Sequence, residues 1–188
     1  MKERLTRKNI LTIPNALSLF RLLLIPVIVW LYCWEKKYSV TAAVVVLSAA
    51  TDIADGKIAR RFHMVSEVGK VLDPIADKLT QAALVVCLMS RYEGMRLLLI
   101  LFVVKEGLML LWGYLVLKHT NTVNSAKWYG KASTAVLYTV MLLLILVPNI
   151  PQIAVNVFMA LCGAVMLLSL VLYGRFYYQI LKKEDAMQ

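Results

Sequence analysis

Six apolar runs, each near the roughly 20 residues that cross a bilayer, divide this chain and constrain its fold before any motif is read. They extend from about Ile13 to Trp34, Ser39 to Arg60, Asp73 to Tyr92, Met95 to Lys118, Tyr129 to Val147 and Gln152 to Gly174. In hydrocarbon, a spanning segment of this kind must satisfy its own backbone N–H and C=O groups, which makes each run a helix. Composition agrees: 61% of the residues are hydrophobic and 17% charged, where a soluble domain is usually less than half apolar. The expectation is an all-α integral membrane protein, with six transmembrane helices forming one membrane domain over residues 1–188. Residues 1–12 mix basic positions with Leu5, Ile10 and Leu11 ahead of Pro14. That pattern suits a short interfacial helix or a basic tail. The basic start and apolar run imitate a signal peptide, but no small-x-small cleavage site follows, so the run reads as an uncleaved first span.

Charge sets the expected orientation. The formal net charge is +10. Lys2, Arg4, Arg7, Lys8, Arg60, Arg61, Lys70, Lys118, Lys127, Arg175, Lys182 and Lys183 fall on one side of the six-span layout, and Lys36, Lys37, Arg91 and Arg96 on the other. The positive-inside rule places both termini on the cytoplasmic side, and the expected location is a bacterial cytoplasmic membrane. No basic stripe interleaved with exposed aromatics points to nucleic acid. Cys33, Cys87 and Cys162 are far apart in apolar runs, which reads as packing. His63 and His119 sit in polar loops without partner spacing and read as solvated. Aromatic residues near the span ends, such as Trp30, Tyr32, Trp34, Tyr92, Tyr173 and Tyr177, read as an interfacial belt.

Against this background four aspartates stand out. Asp52 and Asp55 close the second run, and Asp73 and Asp77 open the third. Residues three or four apart share a helix face, so two neighbouring helices can bring four carboxylates together near the cytoplasmic interface. Like charges in a low-dielectric site need protons or cations. One or two hard divalent cations, Mg²⁺ or Mn²⁺, suit oxygen ligands and in turn suit a diphosphate substrate. Gly56 and Gly69 let a ligand approach backbone, Ala59 keeps the same face small, and Arg60 offers a phosphate fork. Two other readings stay open on spacing alone: structural pairing with Lys57, Lys70 or Lys78, and an ion or proton relay in a transporter.

The window reads Asp52-x2-Asp55-Gly56-x2-Ala59-Arg60-x8-Gly69-x3-Asp73-x3-Asp77. It resembles the complete motif of the CDP-alcohol phosphatidyltransferase family, and the six-span layout carries the resemblance over nearly the whole chain. The resemblance implies that Asp52, Asp55 and Asp73 hold a metal pair, with Asp77 completing the site. It implies that Asp52, Gly56, Ala59, Arg60, Gly69 and Asp73 cradle a CDP moiety. It makes Asp77 the general base that takes a proton from an acceptor hydroxyl as that oxygen attacks CDP-diacylglycerol and CMP leaves. It also implies a homodimer.

The acceptor is read from further features. IPNALSLFR at 13–21, LDPIADK at 72–78 and WYGKAST at 128–134 resemble the phosphatidylglycerophosphate synthase branch, which implies glycerol 3-phosphate. Ser18 stands where that branch has Thr. Two departures weaken the expectation: Ser133 replaces a lysine, and Lys105-Glu106 replaces Arg-Glu. Lysine binds as a point charge without the guanidinium fork. Phosphatidylglycerol, the acceptor of a cardiolipin synthase, is the alternative. Lys131, Lys105, Arg21 and Arg175 are the candidate ligands of the acceptor or of phosphate. Glu106 follows Lys105 directly and is expected to point elsewhere on the helix, leaving Lys105 to turn toward the acidic site or the acceptor. Asn15 is expected to cap the first span.

Overall fold

The first helix starts one turn earlier than the position of Asn15 suggests. In the computed structural model, which describes residues 12–61, 67–120, 127–147 and 149–185, helix α1 spans Ile13–Cys33 and is capped by Thr12. Thr12 is extended, and its Oγ1 accepts a hydrogen bond from Asn15 N at 3.4 Å. Pro14 explains the shift: its φ is preset for a first turn, and its missing N–H is no loss there. Asn15 thereby lies inside the helix and is buried. The expected interfacial helix lies outside the described residues.

Among the described residues five more helices follow: α2 Tyr38–Arg61, α3 Glu67–Met89, α4 Met95–Thr120, α5 Trp128–Leu146 and α6 Gln152–Asp185. The described residues contain no strand. Four helices hold stretches long and apolar enough to cross a membrane: Asn15–Cys33, Met95–Lys118, Trp128–Leu146 and Gln152–Lys182. The remaining two are α2, whose apolar part is the shorter Tyr38–Ala54, and α3, which carries Asp73 and Asp77. These are the helices that hold the aspartates, so the motif itself interrupts the apolar pattern. Helix α3 begins at Glu67, so that Gly69 is helical along with Asp73 and Asp77.

The helices form two compact units. The first holds α1, α2 and α3, up to Arg91, together with the end of α5 from Ile145; the second holds α4, α5 up to Leu144, and α6. In the first unit, α1 packs against both α2 and α3. Its inward face follows the 3–4 spacing of a helix: Asn15, Ser18 and Arg21, then Ile28, Leu31 and Tyr32 are buried. The outward face is greasy, with Leu19, Leu23, Val27 and Trp30 exposed. This inside-out distribution is what a bilayer solvent selects: polar groups need partners within the bundle, and leucine costs nothing against lipid. The inner face of α2 is small, built on Thr41, Ala42, Val45 and Ser48, which lets backbones approach closely. At the turn joining α1 and α2, Trp34 N donates to Trp30 O and Lys37 N to Leu31 O, with Lys36 taking the left-handed conformation at φ 53°.

In the second unit, α4 packs against α6, and an aromatic cluster closes one end. Val116, Tyr173 and Tyr177 are buried there, with Trp112, Tyr129 and Phe176 against them. The Tyr129 and Tyr173 rings meet edge to face at 4.6 Å. Lys127 N donates to the Tyr173 hydroxyl at 3.1 Å, satisfying a backbone donor at the start of α5. The expected aromatic belt is thus only partial. Trp30, Trp34 and Tyr178 are exposed, whereas Tyr32, Tyr92, Tyr173 and Tyr177 are buried, because a phenol that finds a packed partner contributes more there than at the interface.

Gly130 makes the cluster fit. A Cβ at this position would fall 2.9 Å from Cε2 and 3.0 Å from Cζ of Tyr173. Gly130→Ala is expected to push Tyr173 off Lys127 N and to cost about 1–3 kcal/mol by overpacking. Gly107 has nothing within 4 Å of a built Cβ, so Gly107→Ala is expected to be neutral or to stabilise by up to roughly 1 kcal/mol through helix propensity. Thermal unfolding in one detergent compares the two, and equal effects would contradict the packing account.

Candidate active site

Arg21 shows how this fold treats charge. Its side chain is 2% exposed, deep enough that an uncompensated guanidinium would be strongly unfavourable. Its Nη1 pairs with Asp52 Oδ1 of α2. Three residues earlier on the same face of α1, the Ser18 hydroxyl donates to Asp73 Oδ1 of α3. The i,i+3 spacing puts both side chains on one stripe, so α1 reaches one aspartate on each neighbouring helix. The expectation set α2 and α3 side by side; the packing seen among the described residues runs through α1, which packs on both and holds an aspartate of each.

Asp77 is engaged differently. One turn along α3, Gln81 Nε2 donates to Asp77 Oδ2 at 3.0 Å. Asp52 lies near enough to both Asp77 and Asp73 to feel their charges, with Arg21 opposing them. The carboxylate of Asp52 is 46% exposed, while Asp73 and Asp77 are half-buried. Asp55, Gly56, Ala59 and Arg60 lie on the last turns of α2, with their side chains outside the described ones, and Gly69 is buried in the first turn of α3. Among the described residues, no three His, Cys, Asp or Glu side chains already converge as a metal-ligand group. The donor chemistry nonetheless fits a hard cation, since every described candidate ligand is a carboxylate oxygen.

The match to known proteins bears on this site. The model of the CDP-alcohol phosphatidyltransferase family matches residues 11–173. The chain belongs to that family. The match takes in α1 through most of α6, including Ser18, Arg21, all four motif aspartates and Gln81. Among the relatives of this chain is a cardiolipin synthase (CMP-forming)/mitochondrial hydrolase fusion protein of Schizosaccharomyces pombe, 42% identical over 57% of this chain and 18% of its own length. A cardiolipin synthase (CMP-forming) of Streptomyces coelicolor is 31% identical over 71% of this chain and 64% of its own. A CDP-diacylglycerol–glycerol-3-phosphate 3-phosphatidyltransferase of Rickettsia typhi is 37% identical over 42% of this chain and 46% of its own. The chain thus spans less than two thirds of the length of each of these curated relatives.

The other residues expected to meet an acceptor belong to the second unit and are described within it. Lys105 is buried, and its Nζ meets Glu106 Oε1 at 2.7 Å. This corrects the expectation that Glu106 points elsewhere. Neighbouring residues do diverge on a helix, but a flexible lysine arm bends back when the surroundings are apolar and a carboxylate is the nearest compensation. Lys131 is exposed on the first turn of α5, and Arg175 is exposed on α6. The Gly130–Tyr173 contact places their backbones at the same end of the unit. Ser133 is buried at 2% exposure.

Sequence reasoning missed Gln81 and treated Ser18 only as a hydroxyl in a motif. Both carried a readable signal. Gln81 is a polar residue four positions after Asp77 at the head of an apolar run, and Ser18 lies three before Arg21.

The Arg21–Asp52 pair is asymmetric in burial, and this yields an ordering. Asp52→Ala strips a buried guanidinium of this partner, at a cost of about 3 kcal/mol. The relief of repulsion from Asp73 and Asp77 is smaller, because water already screens a half-exposed carboxylate. Arg21→Met leaves Asp52 able to hydrate, at a cost of about 1–2 kcal/mol after discounting for its exposure. Chemical denaturation of both variants in detergent tests this, and a reversed order would show that Arg21 is compensated chiefly by other groups.

Proposed function

We propose that this protein transfers a phosphatidyl group from CDP-diacylglycerol to an alcohol, releasing CMP, with Mg²⁺ or Mn²⁺ as cofactor. The observation that carries the reading is the engagement of the motif carboxylates Asp52 and Asp73 by Arg21 and Ser18 of α1, and of Asp77 by Gln81 of its own helix, inside a chain of this family. An ion relay has less support, because the described motif aspartates are already engaged by neutral or cationic partners.

In this reading Asp52, Asp55, Asp73 and Asp77 hold the metal as a pair of ions, which when bound would neutralise the diphosphate and the CMP leaving group. Gly56, Ala59, Arg60 and Gly69 receive the nucleotide. Asp77 accepts the proton of the acceptor hydroxyl. That oxygen then bonds to the β-phosphorus as the bond from phosphorus to the CMP oxygen breaks. Ser18 and Arg21 keep Asp73 and Asp52 oriented so that the site is preorganised before substrate arrives. The protein acts in a bacterial cytoplasmic membrane with the aspartates facing the cytoplasm, and, by the family resemblance, as a homodimer.

Glycerol 3-phosphate is the first acceptor reading, giving phosphatidylglycerophosphate; it rests on the local motifs and on Lys131 and Arg175. A second reading, cardiolipin synthesis with phosphatidylglycerol as acceptor, is favoured by a specific observation. Lys105 is engaged by Glu106, and Ser133 offers no charge, so the cation supply for a free phosphate is thinner than the motifs imply.

Purified protein with CDP-diacylglycerol and Mg²⁺ is expected to release CMP only when the right alcohol is added, and EDTA is expected to abolish release. Mass spectrometry of the lipid product across glycerol 3-phosphate, phosphatidylglycerol, serine and inositol phosphate identifies the acceptor. No CMP across the panel would rule out the transferase reading. Asp77→Asn is expected to reduce turnover by at least about 100-fold while nucleotide binding, followed by calorimetry, persists. Unimpaired turnover would remove Asp77 from the base role.

A further inference from the structure

Gln81 is a polar side chain in a place that favours apolar ones. It is 1% exposed, at the head of the run Gln81–Met89, and its neighbours along the inner face of α3 are Leu84, Val85 and Leu88, all buried. A buried amide at membrane depth is unfavourable unless it is hydrogen-bonded. Its contact is with Asp77 Oδ2 at 3.0 Å. Residues four apart on a helix lie one above the other, so α3 aligns the pair without help from another element. Thr80 next to it, equally buried, spends its hydroxyl on Ala76 O at 2.8 Å and does not compete for the carboxylate.

We propose that Gln81 is a positioning residue for the reaction: its amide holds the Asp77 carboxylate in the rotamer from which that group meets the acceptor hydroxyl. This rests on the phosphatidyltransferase reading and goes beyond the motif residues. The chemistry of the amide matters. A lysine or arginine here would bring a competing cation against the carboxylate, and a glutamate would add another negative charge to a cluster that already repels itself. A neutral N–H donor restrains the carboxylate and leaves its charge in place for the proton and the metal. The bond engages one of the two oxygens, so it sets the torsion of the group, and a proton acceptor off by about 1 Å can lose on the order of 100-fold in rate. Ser18 and Arg21 do the corresponding work for Asp73 and Asp52 from α1, and Gln81 completes the set from within α3.

The test uses the full chain in detergent or nanodiscs, with CDP-diacylglycerol, saturating Mg²⁺ and the acceptor found active in the panel. Gln81→Met keeps the length and fills the volume without a donor; Gln81→Glu keeps the shape and loses the donor. Partners of this kind typically change activity by roughly 10–100-fold when removed. Both variants are expected to lose kcat by that amount, while KM for CDP-diacylglycerol changes less than about threefold and Gln81→Met unfolds within a few degrees of the native chain. A Gln81→Met kcat within about twofold of native overturns the assignment, as does a loss confined to KM. If the native chain releases CMP and Gln81→Met matches it, only the role of Gln81 fails. If the native chain releases none with any acceptor, the transferase reading fails and this one with it.

Discussion

A guanidinium buried among helices in a bilayer has to be compensated by something, and in this protein that requirement ties the first helix to the second. Arg21 pairs with Asp52, and Ser18 bonds Asp73 one turn nearer the helix start. Through these two contacts α1 registers α2 and α3 against itself, and with them the two halves of the aspartate motif. Neither contact needs large energies to matter. A helix that slides by one turn, about 5.4 Å, would leave a charged group in hydrocarbon, which is a far larger cost than the net worth of an ion pair. The polar stripe therefore acts as a register mark, and the apolar residues beyond it, Ile28, Leu31 and Tyr32, supply the packing.

The same rule, that charge within the bundle finds a partner, explains the second unit. Lys105 folds back onto Glu106, which helps stabilise a buried ammonium. A paired ammonium attracts a free phosphate less than an open one. The aromatic end of the unit uses the other resource of a membrane protein, close approach at small residues. Gly130 and Gly174 lie flat against Tyr173 and Trp112, and the large rings then settle the positions of the chain around Lys131 and Arg175.

Much of this was legible in the residues. The apolar runs marked six helices, four of them within about two positions at both ends; α3 begins at Glu67, ahead of Asp73, and α6 runs on past Gly174 to Asp185, because a helix can continue in polar sequence beyond the hydrophobic length. The motif aspartates, with their spacings of three and four, marked the family. Other features were not legible. Asn15 looked like a cap, and Thr12 is the cap because Pro14 starts the helix earlier. The phenols of Tyr32, Tyr92, Tyr173 and Tyr177 looked interfacial and are buried, a distinction that depends on which neighbours stand opposite.

By itself, then, the sequence determined the solvent, the helices, the family and the placement of the carboxylates along the chain, because each depends on composition or on spacing within one segment. Only the tertiary structure decided the partners: Arg21 with Asp52, Ser18 with Asp73, and Lys105 with its own neighbour. A partner is a matter of distance across helices or of the rotamer a side chain adopts. Both are set by how the greasy faces pack, and no local pattern in the chain encodes that.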